Sequence, residues 1–298
     1  MTPGPDSIHQ PAEFGRLDAA AETAGPQDLL TRILASVRRE LETAKTNLPR
    51  EHLARMAHER APRGDAFASA IAMRDRVNVI AECKRRSPSK GVLSHDYQPA
   101  RIARGYEAAG AAAVSVLTEP QFFGGSIDHL REVRAEVSLP LLRKDFIVDE
   151  YQLLEARAAG ADAVLLITAA LDDHALKDLI WRAGALGLAA LVEVHNAWDL
   201  ERAIDAGAAI IGINNRDLRT QGVDLETTTR LIRLIPEGIV AVAESGIESP
   251  DTLARMRRCG CAAVLIGGYL MSNPDPGRAL GDLLRAVGGV RDLERGET

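Results

Sequence analysis

From Val77 onward, eight short apolar runs alternate with amphipathic helical segments, and this order constrains the fold more than any other feature of the chain. The runs are VNVIAECK from Val77, AAVSVLT from Ala112, LPLLRKDF from Leu139, AVLLIT from Ala163, AALVEVH from Ala189, IIGINN from Ile210, IVAVAES from Ile239 and AAVLIGG from Ala262. Between them lie segments such as ARIARGYEAAG, DEYQLLEARAAG, AWDLERAIDAG and DTLARMRRCG, each closed by a glycine able to take the left-handed conformation that stops a helix. A small-residue phrase recurs as AGAAAV, AGADAV, AGAAII and CGCAAV, an internal repeat of about 50 residues that suits a rotational architecture. Eight such units over about 210 residues match a closed (β/α)8 barrel, an α/β fold of the TIM type. The alternative, an open doubly wound sheet, usually carries fewer strands and a G-x-G-x-x-G after the first, which is missing after Lys84.

Upstream, Leu30, Ile33, Leu34, Val37 and Leu41 recur at helical spacing, and shorter helical patterns start near Glu51 and Asp65. We therefore expect a tail over 1–26, a helical extension over 27–76, the barrel over 77–288 and a C-terminal tail over 289–298. Asp149 with Gln152 reads as a capping box, and Ser249-Pro250 as an N-cap followed by a first-turn proline. Trp181 and Trp198 fall within helical segments and read as outer packing.

A net charge of -6 gives no overall basic character for nucleic acid or an anionic membrane. Three cysteines suit free thiols in a reducing compartment, and no apolar run approaches the ~20 residues of a membrane span. The early acidic residues Asp6, Glu13, Asp18 and Glu22 do not suit a signal or transit peptide, so cytoplasm is the expected location. His95, His129, His174 and His195 lack ligand spacing, and no metal site is expected. Cys259-x-Cys261, at the stability end of the barrel, reads as core packing.

Barrel active sites sit at the C-terminal strand ends, so polar residues there carry information. Strand one ends in Glu82 and Lys84, which share a face, and strand two in Thr118 and Glu119. Strand three ends in Lys144 and Asp145, strand four in Thr168, strand five in Glu193 and His195. Asn214, Asn215 and Arg216 end strand six, Glu244 and Ser245 strand seven. Opposite charges converging on one mouth can perturb pKa values and supply acid and base partners, although any single pair could be a rim salt bridge. Ser245-Gly246 and Gly267-Gly268, after strands seven and eight, stand where barrels commonly bind phosphate through backbone N–H groups. The segment KRRSPSKG from Lys84 carries four cations and a Ser-Pro turn, as a mobile loop over an anionic substrate would.

The phrases IAECKRRSPSKG, LTEPQFFGGS, RKDFIVDEYQ, EARAAGADAVLLI, LVEVHN, IGINNRDL and VAESGI resemble, in order and spacing, the motifs of the indole-3-glycerol-phosphate synthase family over about residues 27–287. The resemblance implies ring closure, decarboxylation and dehydration of 1-(2-carboxyphenylamino)-1-deoxyribulose 5-phosphate in tryptophan biosynthesis, with no metal or organic cofactor. It implies that Lys144 is the general acid, Glu193 the general base and Lys84 the lysine that engages the substrate carboxylate. Glu82 and Glu244 are similar to supporting carboxylates, and Asn214 with Arg216 to the pair orienting the anthranilate. Ser87, Ser245, Gly246 and Gly267 resemble phosphate or substrate binders. The helix from Asp28 matches the family's extra segment over the mouth.

Two positions depart from the family pattern: Gly268, where Ser or Glu is common, and Thr220-Gln221-Gly222, where Thr-Phe often stands. The expected partner is a small phosphorylated substrate, with no nucleic acid and no membrane. A monomer is expected, with contacts to other tryptophan-pathway enzymes conceivable. Because Thr298 follows closely on the last helical segment, no fused second barrel is expected. Two competing readings are a class I aldolase using a strand-end lysine as Schiff base and a non-catalytic barrel that binds a sugar phosphate.

Overall fold

The computed structural model describes residues 28–61, 63–217 and 220–295, with side chains to residue 288. The expected tail over 1–26 lies outside the described residues. Three helices come first: α1 (Leu29–Asn47), α2 (Arg50–His58) and α3 (Gly64–Ile71). Asp28 starts α1 by accepting the Thr31 N–H on its side chain at 2.8 Å, an N-cap. Eight strands follow: β1 (Asn78–Cys83), β2 (Ala113–Leu117), β3 (Leu141–Lys144), β4 (Ala163–Ile167), β5 (Ala189–Val194), β6 (Ile210–Asn214), β7 (Val240–Glu244) and β8 (Ala263–Ile266). Each pairs in parallel with its sequence neighbour, and β8 closes on β1 through Asn78↔Ala263 to Ala81↔Ile266. The fold is the closed barrel that the alternation implies.

The crossover helices are α4 (Pro99–Ala109), α5 (Ile127–Glu136), α6 (Glu150–Ala159), α7 (Asp173–Ala185), α8 (Ala197–Asp205), α9 (Glu226–Leu231) and α10 (Pro250–Arg258). The short α11 (Gly268–Met271) and α12 (Pro276–Arg295) follow β8. Gly110 and Gly160 end α4 and α6 in the left-handed region, at φ 93° and 96°. At α10 the Ser249 capping box is complete, its partner being Thr252. At α6 it is not: Asp149 caps Tyr151 N–H, while Gln152 Oε1 accepts from Val148 N–H, one residue before the cap. The last helix runs through Arg295, into the segment expected as a tail.

Strand alternation sorts the core into two layers. Val79, Ala81, Val192, Val194, Ile211 and Ile213 face the helices, whereas Ile80, Leu142, Leu191, Ile210, Val242 and Leu265 fill the lumen. Two N-terminal helices complete that lumen from opposite ends. Ile33 and Val37 of α1 join it near the mouth, and Phe67 and Ile71 of α3 plug the floor, both fully buried. The floor contact is tight: a Cβ at Gly64 would lie 2.6 Å from Ala189 N, which closes that position to other residues. Asn78 Nδ2 ties α3 down by donating to the carbonyls of Ile71 (3.0 Å), Met73 (2.6 Å) and Ala262 (2.9 Å).

Trp181 and Trp198 correct the sequence reading. They do lie on α7 and α8, but at 67% and 65% exposure they face solvent instead of packing. Each is two residues from a buried leucine, Leu179 or Leu200, and two residues on a helix is roughly the opposite side. The three cysteines are free; of the pair read as core packing Cys261 is buried and Cys259 only half-buried, while Cys83 is buried in the core.

Candidate active site

The same alternation decides which strand-end residues face inward. In β1, Ile80 is in the lumen, so Glu82 and Lys84 point toward the mouth; Leu142 sets Lys144, Leu191 sets Glu193, Val242 sets Glu244 and Ile210 sets Asn214. Arg143 beside Lys144 therefore points out, where it is buried against α6. It donates to Thr118 Oγ1 at 3.1 Å and Gln152 O at 2.9 Å, and pairs with Asp145 at 3.0 Å and Glu155 at 2.8 Å. Thr118 and Asp145, flagged at strand ends, thus serve this clamp. Glu119 also turns to structure, accepting the N–H groups of Gln121, Phe122 and Phe123 at 3.1, 2.8 and 2.9 Å, which fixes the loop that presents Phe123.

One cavity is lined by all twelve candidate residues: Glu82, Lys84, Ser87, Lys144, Glu193, Asn214, Arg216, Glu244, Ser245, Gly246, Gly267 and Gly268. Its opposite wall is apolar, built from Leu29, Leu30 and Ile33 of α1 with Phe123, Phe146 and Ile167. The sequence reading missed that wall, and the signal available was only the apolar face of α1. It also missed Gly212 within β6, whereas Lys90, one of the four cations of KRRSPSKG, is a lining residue.

Charges dominate the floor. Lys84 bonds the Glu82 carboxylate directly. Lys144 Nζ lies 3.4 Å from Glu193 Oε2 and 3.7 Å from Glu244 Oε2, and both carboxylates are buried. Burial opposes a charged Lys144, but Glu193, Glu244 and Glu82 outweigh it and hold the ammonium above the usual lysine range. Burial likewise opposes ionised Glu193, yet Lys144, His195 and a hydrogen bond from Asn214 hold it well below the usual carboxylate range. Glu244 goes the other way. Burial, then the neighbouring Glu193 charge, push it up to about 8 against the pull of Lys144. Two adjacent carboxylates of opposite protonation tendency are a common acid and base arrangement.

His195 is wedged between two acids, Nε2 at 3.2 Å from Glu193 Oε1 and Nδ1 at 3.6 Å from Asp199 Oδ2. Neither nitrogen has hydrogen-bond geometry, so charge attraction holds the ring. Burial lowers its basicity, but these carboxylates raise it to about 10, keeping the imidazolium form next to Glu193.

Glycines make room for two of the acids. A Cβ at Gly212 would fall 2.1 Å from Glu244 Oε1, and one at Gly267 2.1 Å from Glu82 Oε1. A glycine inside an apolar strand was the legible signal for Gly212. After β7 the backbone turns left-handed at Ser245 (φ 64°) and Gly246 (φ 78°), and the Ser245 carbonyl accepts Asn215 Nδ2 at 3.1 Å. Asn215 otherwise faces α9, accepting Thr228 N–H and Oγ1–H, so it braces the loop instead of entering the cavity. Arg216 donates from its backbone to Asn214 Oδ1 at 3.0 Å and from Nη1 to the Gln221 carbonyl at 2.8 Å. The unusual Gln221, itself at φ 60°, is thereby a backbone brace for that guanidinium. KRRSPSKG is not a plain loop: Arg86–Ser87 pairs antiparallel with Gly91–Val92.

The model of the indole-3-glycerol phosphate synthase family matches residues 30–283. The chain is 49% identical over 262 residues to an indole-3-glycerol phosphate synthase of Kineococcus radiotolerans, covering 87% of this chain and 95% of that relative. It is 49% identical over 258 residues to indole-3-glycerol phosphate synthase 1 of Streptomyces coelicolor, with the same coverage of 87% and 95%. Among solved structures, thiamine phosphate pyrophosphorylase from Pyrococcus furiosus aligns with a TM-score of 0.55 at 17% identity, covering 72% of this chain and 96% of that one. The N-acetylmannosamine-6-phosphate 2-epimerase from Clostridium perfringens aligns at 0.52 and 17%, covering 64% and 86%. At such identities these two likenesses speak for the fold alone.

Proposed function

The chain belongs to the indole-3-glycerol phosphate synthase family, and on that footing we propose that its cavity closes the indole ring on 1-(2-carboxyphenylamino)-1-deoxyribulose 5-phosphate. The products are indole-3-glycerol phosphate, carbon dioxide and water, in tryptophan biosynthesis. The observation that carries the assignment of roles is the ammonium of Lys144 set between Glu193 and Glu244, facing an apolar wall.

Ring closure joins the arene carbon bearing the carboxylate to the ketone carbon, and the ketone oxygen must gain a proton. Lys144 supplies it as general acid. The positive charge that develops on nitrogen is stabilised by the carboxylates, while Lys84 engages the substrate carboxylate until carbon dioxide leaves and its bonding electrons restore aromaticity. Dehydration then expels the former ketone oxygen: its hydroxyl takes a second proton from Lys84, whose carboxylate partner has left as carbon dioxide, and departs as water while Glu193 as base removes the proton from the carbon beside nitrogen. The two steps are linked electrostatically. Once Lys144 has given up its proton, the strongest attraction holding down the basicity of Glu193 is gone, so the acid step prepares the base. Asn214 and Arg216 orient the anthranilate against Phe123, Phe146 and the α1 leucines, while Ser87, Ser245, Gly246, Gly267 and Gly268 hold the phosphate end.

An aldolase is disfavoured at Lys144, because a Schiff base needs a free amine and the neighbouring acids, Glu193 foremost, favour its ammonium form. A cytoplasmic location goes with this reading; among the described residues no helix is long and apolar enough to cross a membrane. Purified protein mixed with the substrate should develop indole fluorescence without added metal or cofactor. No signal from folded protein, or a borohydride-trapped adduct on Lys144 or Lys84, would count against the synthase.

The glycine contacts supply a second test. Gly212→Ala and Gly267→Ala must displace the carboxyls of Glu244 and Glu82, and a misplacement near 1 Å in an active site costs ~10²-fold. Steady-state rates should fall by that order in each variant with the circular dichroism of the parent retained. Unchanged rates would mean that neither carboxylate needs its present position.

A further inference from the structure

Lys90 stands at the turn of the small hairpin after β1, where its own N–H donates to Ser87 Oγ at 3.2 Å. Its ammonium crosses the cavity rim to the loop after β7 and lies 3.4 Å from Glu248 Oε1. A Cβ built on Gly268 would have Lys90 Nζ as its nearest neighbour, at 3.9 Å. The lysine therefore overhangs the glycine segment where the proposed function seats the phosphate, and it shares that cavity with Ser245, Gly246 and Gly267.

Resting on that reading of the phosphate end, we propose that Lys90 is a further phosphate-binding residue that trades Glu248 for the substrate's phosphate and so fastens the β1 hairpin over the bound substrate. Three physical arguments carry it. The Lys90–Glu248 pair is half exposed, 45% and 57% by side chain, and such pairs contribute little, so breaking it is cheap. A phosphate monoester near neutral pH carries roughly twice the charge of a carboxylate and offers three acceptor oxygens, so the exchange favours the ligand. Finally, a lysine ammonium on a four-carbon stem can swing between partners that a planar, bidentate guanidinium would match less freely.

Lys90→Met should raise KM about tenfold while kcat stays within about twofold, because a contact made equally to substrate and transition state acts on binding alone. Inorganic phosphate used as a competitive inhibitor should lose affinity by the same factor, and Lys90→Arg should restore most of it. Glu248→Gln, which frees the lysine, should lower KM and the phosphate inhibition constant severalfold. Wild-type constants in Lys90→Met would overturn the proposal. So would a rise in KM in Glu248→Gln equal to that in Lys90→Met, since the pair would then be a structural latch. Calorimetric titration with inorganic phosphate separates this from the synthase reading: if wild-type protein made no product but phosphate affinity still depended on Lys90, the inference would stand without it.

Discussion

Replacing Lys144 with methionine is expected to lower turnover by ~10²- to 10⁴-fold, the range spanned by loss of an acid or base catalyst. Methionine keeps an unbranched stem of similar length, and β3 is anchored by buried Leu141 and Leu142 and by the Arg143 clamp, so the barrel should keep its far-UV circular dichroism. The electrostatic consequence is measurable separately. Lys144 is the group that pulls down both Glu193 and Glu244. Without it Glu244, already above the ~4.3 of an unfolded glutamate, rises further, and Glu193 loses the strongest attraction that holds it below that value. A carboxyl whose folded value exceeds its unfolded value binds protons more readily when folded, so its cost grows as pH climbs past the unfolded value. The variant's loss of thermal stability against the parent should therefore be larger at pH 8 than at pH 5. Turnover within tenfold of the parent would remove Lys144 from the acid role, and a loss independent of pH would contradict the shared field.

Glu193→Gln is the second large effect, ~10²-fold or more in kcat with KM changed far less, because glutamine can still bond Asn214 but cannot take a proton. The substitution also removes one of the two acids that flank His195 and one of the charges that push Glu244 up. An imidazole titration followed by proton NMR should find His195 below its parent value of about 10, with Asp199 alone sustaining it. A variant with parental kcat would leave the dehydration step without its base and shift attention to Glu244.

How much of this was legible beforehand depends on the range of the interaction involved. Strand periodicity is local, so the eight strands and the inward direction of Glu82, Lys144, Glu193 and Glu244 follow from residue spacing of two. What spacing does not carry is which inward charges meet across the barrel. Lys84 pairs within its own strand, whereas Lys144 reaches across to β5 and β7, a difference set by closure and register. Polar strand-end residues also divide by partner and not by type: Thr118, Asp145 and Asn215 satisfy buried groups of the scaffold. The same limit applies to α3, whose short helical pattern near Asp65 is legible but whose place, with Phe67 and Ile71 inside the lumen, is not. It hid the apolar wall of the cavity too, since Leu29 and Leu30 meet Phe123 only after more than 90 residues of intervening chain.

The sealed base of the barrel bears on the traffic of the reaction. Among the described residues, Phe67 and Ile71 fill the lumen beneath the strands and Gly64 is pressed against Ala189, so the base of the cylinder is packed and the cavity lies at the opposite end. The mouth beneath α1 and the β1 hairpin is then the end that substrate, gas and the larger product would share. Any follow-on catalyst has to collect its feed from that rim, and departure of the bulky phosphorylated product has to precede the next arrival.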